Sequence, residues 1–137
     1  MCFNSKDMNF EILHQFPSPD LERAWREFLT RVEVVSHYDS PEFFLDPLHT
    51  RPFAVLAIED NRVWGSLTGS HTDNAVVSGL PSRPQICVDS SHKTATLETL
   101  SQGLLAEAAD AKLVIVYSWS SLELDPFSAQ GFRRRQL

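Results

Sequence analysis

Few residues in this chain stand in the patterns that catalysis or metal binding requires. The five histidines, His14, His37, His49, His71 and His92, are scattered along the sequence. None has the i, i+4 spacing that puts two imidazoles on one helix face, and neither cysteine belongs to a pair near them. Spacing alone therefore predicts no metal site, and His14 reads as a core or edge histidine on a strand. Nucleophile patterns are equally sparse. Ser78-Gly79 lacks the Gly-x-Ser-x-Gly elbow. Cys87 sits in an apolar, strand-like setting, where cysteine acts as a small hydrophobe; a reactive thiol would need a base or a helix start to lower its pKa. Gly65-x-x-x-Gly69 is neither a Walker loop nor a dinucleotide fingerprint and reads as glycines in a twisted strand. The best anion-binding stretch is Ser90-Ser91-His92-Lys93-Thr94, between a predicted strand and a predicted helix, where free N–H groups and the dipole attract negative charge. Its other reading is an ordinary cap cluster on a solvated turn. Arg133-Arg134-Arg135 could touch phosphates, but such runs are more often solvated faces.

These residues need a scaffold, and the composition supplies one. The chain has 137 residues, 42% hydrophobic and 22% charged, which fits one globular domain over residues 1–137 with its own core. A formal net charge of −6 disfavours nucleic acid as a partner, since phosphate-backbone binders usually carry a basic face. Cys2 and Cys87 make no disulfide framework. Met1–Phe10 lacks an apolar signal core, and the longest apolar runs, Phe53–Ile58 and Leu113–Tyr117, are too short for a helical membrane span. The expected location is the cytoplasm, without a membrane partner.

Periodicity gives the elements. Phe10, Ile12, His14 and Phe16 alternate with mostly polar residues and predict a first strand ended by Pro17. Ser18-Pro19-Asp20 opens a helix whose apolar stripe is Leu21, Trp25, Phe28, Leu29 and Val32. Ser40-Pro41-Glu42 repeats that signal and predicts a short second helix. The run Phe53–Ile58 predicts a strand buried on both faces, with Asp60-Asn61 turning into a returning strand over Arg62–Thr68. Ala75–Ser78 and Gln85–Val88 are further strand pieces interrupted by Gly79–Pro84. Leu97, Leu100, Leu104, Leu105 and Ala108 mark the main helix, weakened at Gly103. Lys112–Trp119 reads as the clearest buried strand, followed by a turn or short helix over Leu122–Phe127, broken at Pro126.

The order of these elements and several of their segments resemble the GNAT acyltransferases, and within them the FemAB-type proteins built from two tandem units. Ser40-Pro41-Glu42-Phe43-Phe44 is similar to the start of their second helix. Phe53-Ala54-Val55-Leu56-Ala57 with Arg62-Val63-Trp64-Gly65 resembles their central hairpin. Gly79–Pro84 resembles the proline-bearing segment before their main helix, Lys112–Val116 the strand after it, and Gly131-Phe132 the Gly-Phe after the last helix. The resemblance implies an α/β (α+β) fold: a mixed, mostly antiparallel twisted sheet flanked by helices, incomplete at its C-terminus.

The same resemblance implies transfer of an acyl group from a thioester or aminoacyl ester to an amine. An acyl-CoA would enter between splayed central strands, with its pyrophosphate on the N–H groups of the main helix, here Ser90, Ser91, His92, Lys93 and Thr94. Family chemistry uses a carboxylate or water to deprotonate the amine and a tyrosine or serine to protonate the thiolate. That makes Glu59, Tyr117 and Ser118 the catalytic candidates, with hairpin polarity and core packing as their alternative roles. Two departures set the expectations. The family's Gly-containing loop before the main helix has no glycine here between Asp89 and Thr96, so bulky side chains oppose close approach of a pyrophosphate. The family fold also continues for two further strands beyond the position of Leu137, which predicts an open sheet edge. The expected role is the supporting half of an acyltransferase, partnered by a second GNAT-like unit. A non-enzymatic dimerisation module that self-associates through that edge is the alternative.

Overall fold

The computed structural model describes residues 8–32 and 36–133. Cys2, Arg134 and Arg135 lie outside the described residues. The chain runs β1 (Asn9–Leu13), α1 (Pro19–Leu29), two 3-10 turns (His37–Asp39 and Pro41–Leu45), β2 (Pro52–Glu59), β3 (Arg62–His71), β4 (Ala75–Ser78) and β5 (Ile86–Val88). A 3-10 turn (Ser90–His92), α2 (Lys93–Glu107), β6 (Leu113–Val116), a further turn (Ser121–Leu124) and α3 (Asp125–Ala129) complete it.

The six strands form one sheet in the order β1-β2-β3-β4-β6, with β5 paired to β3. Every pairing is antiparallel except β4 with β6. This is the mixed, mostly antiparallel sheet the sequence implied. The hairpin between β2 and β3 turns at Asp60 and Asn61, both at positive φ, the conformation that a two-residue hairpin turn demands.

Alternation along β2 divides the interior in two. Phe53, Val55 and Ala57 face α2 and meet Leu97, Leu100 and Leu104. Ala54 and Leu56 face α1 and meet Trp25 and Phe28, both fully buried. Burying each such side chain contributes about 1.5–3 kcal/mol. Where β3 crosses this core, the register slips: Gly65 pairs with Ala57, but Val63 pairs with Ile58. Trp64 is the extra residue of a β-bulge, and the usual alternation is reversed across it. Val63 packs on the α1 side and Leu67 on the α2 side, although both are odd-numbered. The bulge thereby aims Trp64 at the start of α2.

Several expected elements differ. β1 stops at Leu13, so His14 follows the strand instead of sitting on its face. The second helix is a pair of 3-10 turns, and the capping box belongs to Ser36 and Asp39, not to Ser40. Ser40 uses its hydroxyl to donate to the His37 carbonyl. β6 is not a buried strand: it pairs with β4 alone among the described residues, and Leu113 is 53% exposed. An apolar run fits an edge strand packed on one side as well as a central one. Pro126 stands in the first turn of α3, where its missing N–H costs nothing, so it starts that helix and does not break it.

Candidate functional site

A split in the sheet positions the main candidate site. β3 is long enough to hold two partners in succession along one side: β4 at Ser70 and His71, then β5 from Leu67 to Gly65. The Gly79–Pro84 detour separates the two, with Gly79 at φ +87°, where a side chain would be strained. β6 accompanies only β4, and its company ends where the Tyr117 N–H donates to the Ser78 carbonyl at 3.1 Å. β5 then runs on with β3 as its sole partner among the described residues and delivers the chain to α2. The central strands therefore part as they approach the helix mouth. Gly65 lets α2 sit directly on β3 there, since a Cβ at this position would lie 2.3 Å from Thr96 Cγ2.

Ser90, Ser91, His92, Lys93 and Thr94 are brought together at that mouth and are all exposed. What caps them is Asp89, a residue outside the predicted set. Its Oδ1 accepts from the Ser91 N–H at 2.9 Å, and its Oδ2 accepts from Arg31 Nε at 2.9 Å. The Ser91 N–H, then Arg31, hold this buried carboxyl down at about 2. Arg31 also donates to the Val63 carbonyl at 2.7 Å and pairs with Glu27. The Trp64 ring completes the wall: Arg31 and Arg62 lie 5.3 and 5.1 Å from its centroid, and His92 meets it edge-on at 4.5 Å. The 3-10 turn that leads into α2 thus already holds a carboxylate of the chain itself, while α2 proper, from Lys93, has no side-chain cap.

The three catalytic candidates do not converge. Glu59 ends β2 opposite Arg62, and its carbonyl accepts from Trp64 Nε1. Tyr117 lies level with the end of β4, roughly 20 Å further along β3 at about 3.3 Å per residue. The Ser118 hydroxyl donates to the Ser120 carbonyl at 2.9 Å. Cys87 is buried beside Asp39; burial first, and the carboxylate next, push its thiol pKa up, so it stays protonated at neutral pH. Asp39 is itself raised by burial.

A second cluster lies at the opposite end of α2 and has no counterpart in the sequence reading. Glu107, in the last turn, is buried between two imidazoles. His14 Nε2 is 2.8 Å from its Oε1, and His71 Nε2 is 2.5 Å from its Oε2. A carboxylate can only accept, so both rings present Nε2–H to it. The three border a 560 Å³ cavity that also meets Arg51, Asp73 and Lys112. Separations of 93 and 36 positions carry no local signal; only the pairing of β1, β3 and α2 assembles the group.

Comparison with solved structures identifies the architecture as the GNAT acetyltransferase fold. An aminoglycoside acetyltransferase from an uncultured soil metagenomic sample superposes with a TM-score of 0.58 at 11% identity, over 96% of this chain and 93% of that one. A GNAT family acetyltransferase from Streptococcus pneumoniae TIGR4 gives 0.57 at 12% identity, over 92% and 87%. A ribosomal-protein-alanine N-acetyltransferase from Brucella melitensis biovar Abortus 2308 gives 0.57 at 13% identity, over 95% and 94%. No protein-family profile and no curated protein matches the sequence. No described helix is long and apolar enough to cross a membrane.

Proposed function

We propose that this N-acetyltransferase-like domain is the supporting, non-catalytic unit of a FemAB-type acyltransferase pair. The observation that carries the reading is Asp89. Its carboxylate takes the Ser91 N–H of the 3-10 turn that leads into α2, within the stretch the resemblance assigns to a donor pyrophosphate, and Arg31 neutralises it from within the chain. A pyrophosphate there would have to displace a buried anion, and no glycine between Asp89 and Thr96 opens the backbone to it. The separation of Glu59 from Tyr117 and Ser118 points the same way. The proposed unit is one domain over residues 1–137 and cytoplasmic, in keeping with its isolated cysteines.

The partner unit would add to β6. Among the described residues its outer edge pairs with no strand, and it borders an 840 Å³ cleft lined by Val114, Val116, Leu124, Phe127 and Phe132, an apolar surface. A second GNAT-like unit pairing there would extend the sheet and cover the cleft. A second copy of this chain would do the same in a dimerisation module with a degenerate acyltransferase fold.

Titration calorimetry with acetyl-CoA tests the central claim. The expected result is no heat of binding and no rise in Tm from a folded sample. Saturable one-to-one binding would overturn the supporting role and restore a self-sufficient acetyltransferase. Light scattering over a concentration series separates the partners. A monomer at every concentration selects a distinct second unit, whereas a dimer abolished by Ile115→Lys selects self-association.

A further inference from the structure

The segment between α1 and β2 draws two histidines and an aspartate to one point. His37 Nε2 lies 3.3 Å from Asp46 Oδ2, and His49 Nε2 lies 3.4 Å from the same oxygen. One ligand atom from each residue falls within 4.8 Å of the others. We propose that His37, Asp46 and His49 form a binding site for a zinc-class divalent cation, with a fourth position open to solvent or another donor.

Three features carry this. The first is the spacing. Bonds of about 2.0–2.1 Å to zinc place neighbouring ligands about 3.3–3.4 Å apart along a tetrahedral edge. For bonds of that length an octahedral edge would be about 2.9 Å, so the two imidazole–carboxylate separations of 3.3 and 3.4 Å fit a tetrahedral ion better than an octahedral one. The second is His49. Its Nε2 is buried and makes no hydrogen bond, although a carboxylate oxygen lies 3.4 Å away. A proton on that nitrogen would be expected to align with the oxygen. A lone pair aimed at a shared central ion has no such requirement.

The third is the way the ligands are held. The Leu48 N–H donates to Asp46 Oδ1 at 2.9 Å, which fixes the carboxylate and presents Oδ2 to both rings. Tyr38 stacks on His37 with centroids 4.0 Å apart and meets His49 edge-on at 5.5 Å, while Phe43 packs on His49 at 4.2 Å. These outer contacts orient the imidazoles, the part that supporting residues play at metal centres. The Tyr38 carbonyl accepts from Thr68 Oγ1 at 2.6 Å, which anchors the segment to β3. Arg83, 3.9 Å from the Tyr38 ring centroid, is the neighbouring charge that opposes a cation. The residues from Ser36 to His49 hold only 3-10 turns, so an ion joining His37 to Asp46 and His49 would staple two turns that have little regular hydrogen bonding of their own. Sequence spacing hid the set, because His37 lies far from the other two and no helix or strand relates them.

The test uses the tag-free full chain and zinc chloride, followed by calorimetry, with cobalt(II) as a spectroscopic substitute. One zinc per chain, a raised Tm reversed by chelator, and the intense visible bands of tetrahedral cobalt are the expected results. His37→Ala, at a half-exposed position that leaves the fold intact, should weaken zinc binding by about a hundredfold or more, and Asp46→Asn should do likewise. Circular dichroism of each variant without metal checks folding. His14→Ala is the control for the other histidine cluster and should leave affinity unchanged. No zinc binding by the wild type, or affinity that survives both His37→Ala and Asp46→Asn, or loss in His14→Ala alone, would each overturn the assignment.

Discussion

The two ends of α2 treat negative charge in opposite ways. At the N-terminal end the approach to the helix is favourable to an anion, and the chain places Asp89 on the 3-10 turn just before it. At the C-terminal end the dipole disfavours an anion, yet Glu107 is buried there and is held by His14 and His71. The first arrangement uses a local signal, a carboxylate two residues before the N–H that it caps. The second needs donors from two other strands' ends. A helix terminus alone does not define a ligand site: what matters is what the fold places beside it. In this chain a paired carboxylate stands on the turn before the favourable end, and the unfavourable end is the one that opens on a cavity.

Substitutions can break or sharpen this contrast. Gly65→Val should have the largest effect, because its Cβ would meet Thr96 Cγ2 at 2.3 Å and the Cys87 carbonyl at 3.1 Å. Urea denaturation should show a loss of about 3 kcal/mol, and His92 should lose its contact with Trp64, seen as a change in indole fluorescence. An unchanged midpoint would mean that α2 is not seated on β3 at its first turn.

Asp89→Asn comes next, at about 2 kcal/mol at neutral pH. The folded-state pKa of Asp89 is lowered from an ordinary 3.8 to about 2. Its stabilisation is therefore complete above about pH 4 and is lost as pH falls toward about 2. Thermal unfolding followed across that window should show a shallower acid limb in the variant than in the wild type. Equal slopes would sink the account of the capped mouth.

Glu107→Gln removes the charge and replaces one acceptor oxygen by an amide N–H₂ group facing an imidazole N–H, and should cost about 1 kcal/mol. Proton NMR should show that the His71 Nε2–H loses protection from exchange while the α2 start is unaffected. Lys93→Ala should be smallest, within about 0.5 kcal/mol, since Lys93 is exposed at the occupied end. Binding of inorganic phosphate by the wild type that disappears in this variant would reverse the view that the mouth is closed.

The legible parts of the fold were those with local chemistry. Asp60-Asn61 announced its hairpin because asparagine and aspartate tolerate positive φ. Pro19 and the stripe through Trp25 and Phe28 announced α1. The mixed, mostly antiparallel sheet followed from the resemblance to a known fold, which left the order of its strands unstated. Features that depend on partners distant in sequence stayed hidden. Leu113–Val116 looks central by composition, and only the absence of a partner beyond it among the described residues makes it an edge. Gly103 reads as a weak point in a helix, whereas a Cβ there would lie 2.4 Å from Val55 Cγ1, so it is the point of close approach to β2. Ser90–Thr94 lie exposed where the 3-10 turn leads into α2. Asp89, immediately before them, reads in the sequence only as the start of the glycine-free loop, because a capping aspartate and a loop aspartate look alike without knowing where the oxygens point.

The seam along β3 has a further meaning. Because β4 and β5 are separate strands beside one continuous neighbour, the registers that β3 gives each of them fix where the opening between β5 and the chain leaving β6 lies. One strand thus acts as a common ruler for both lips of the aperture, and a slip of either partner along it would move the opening.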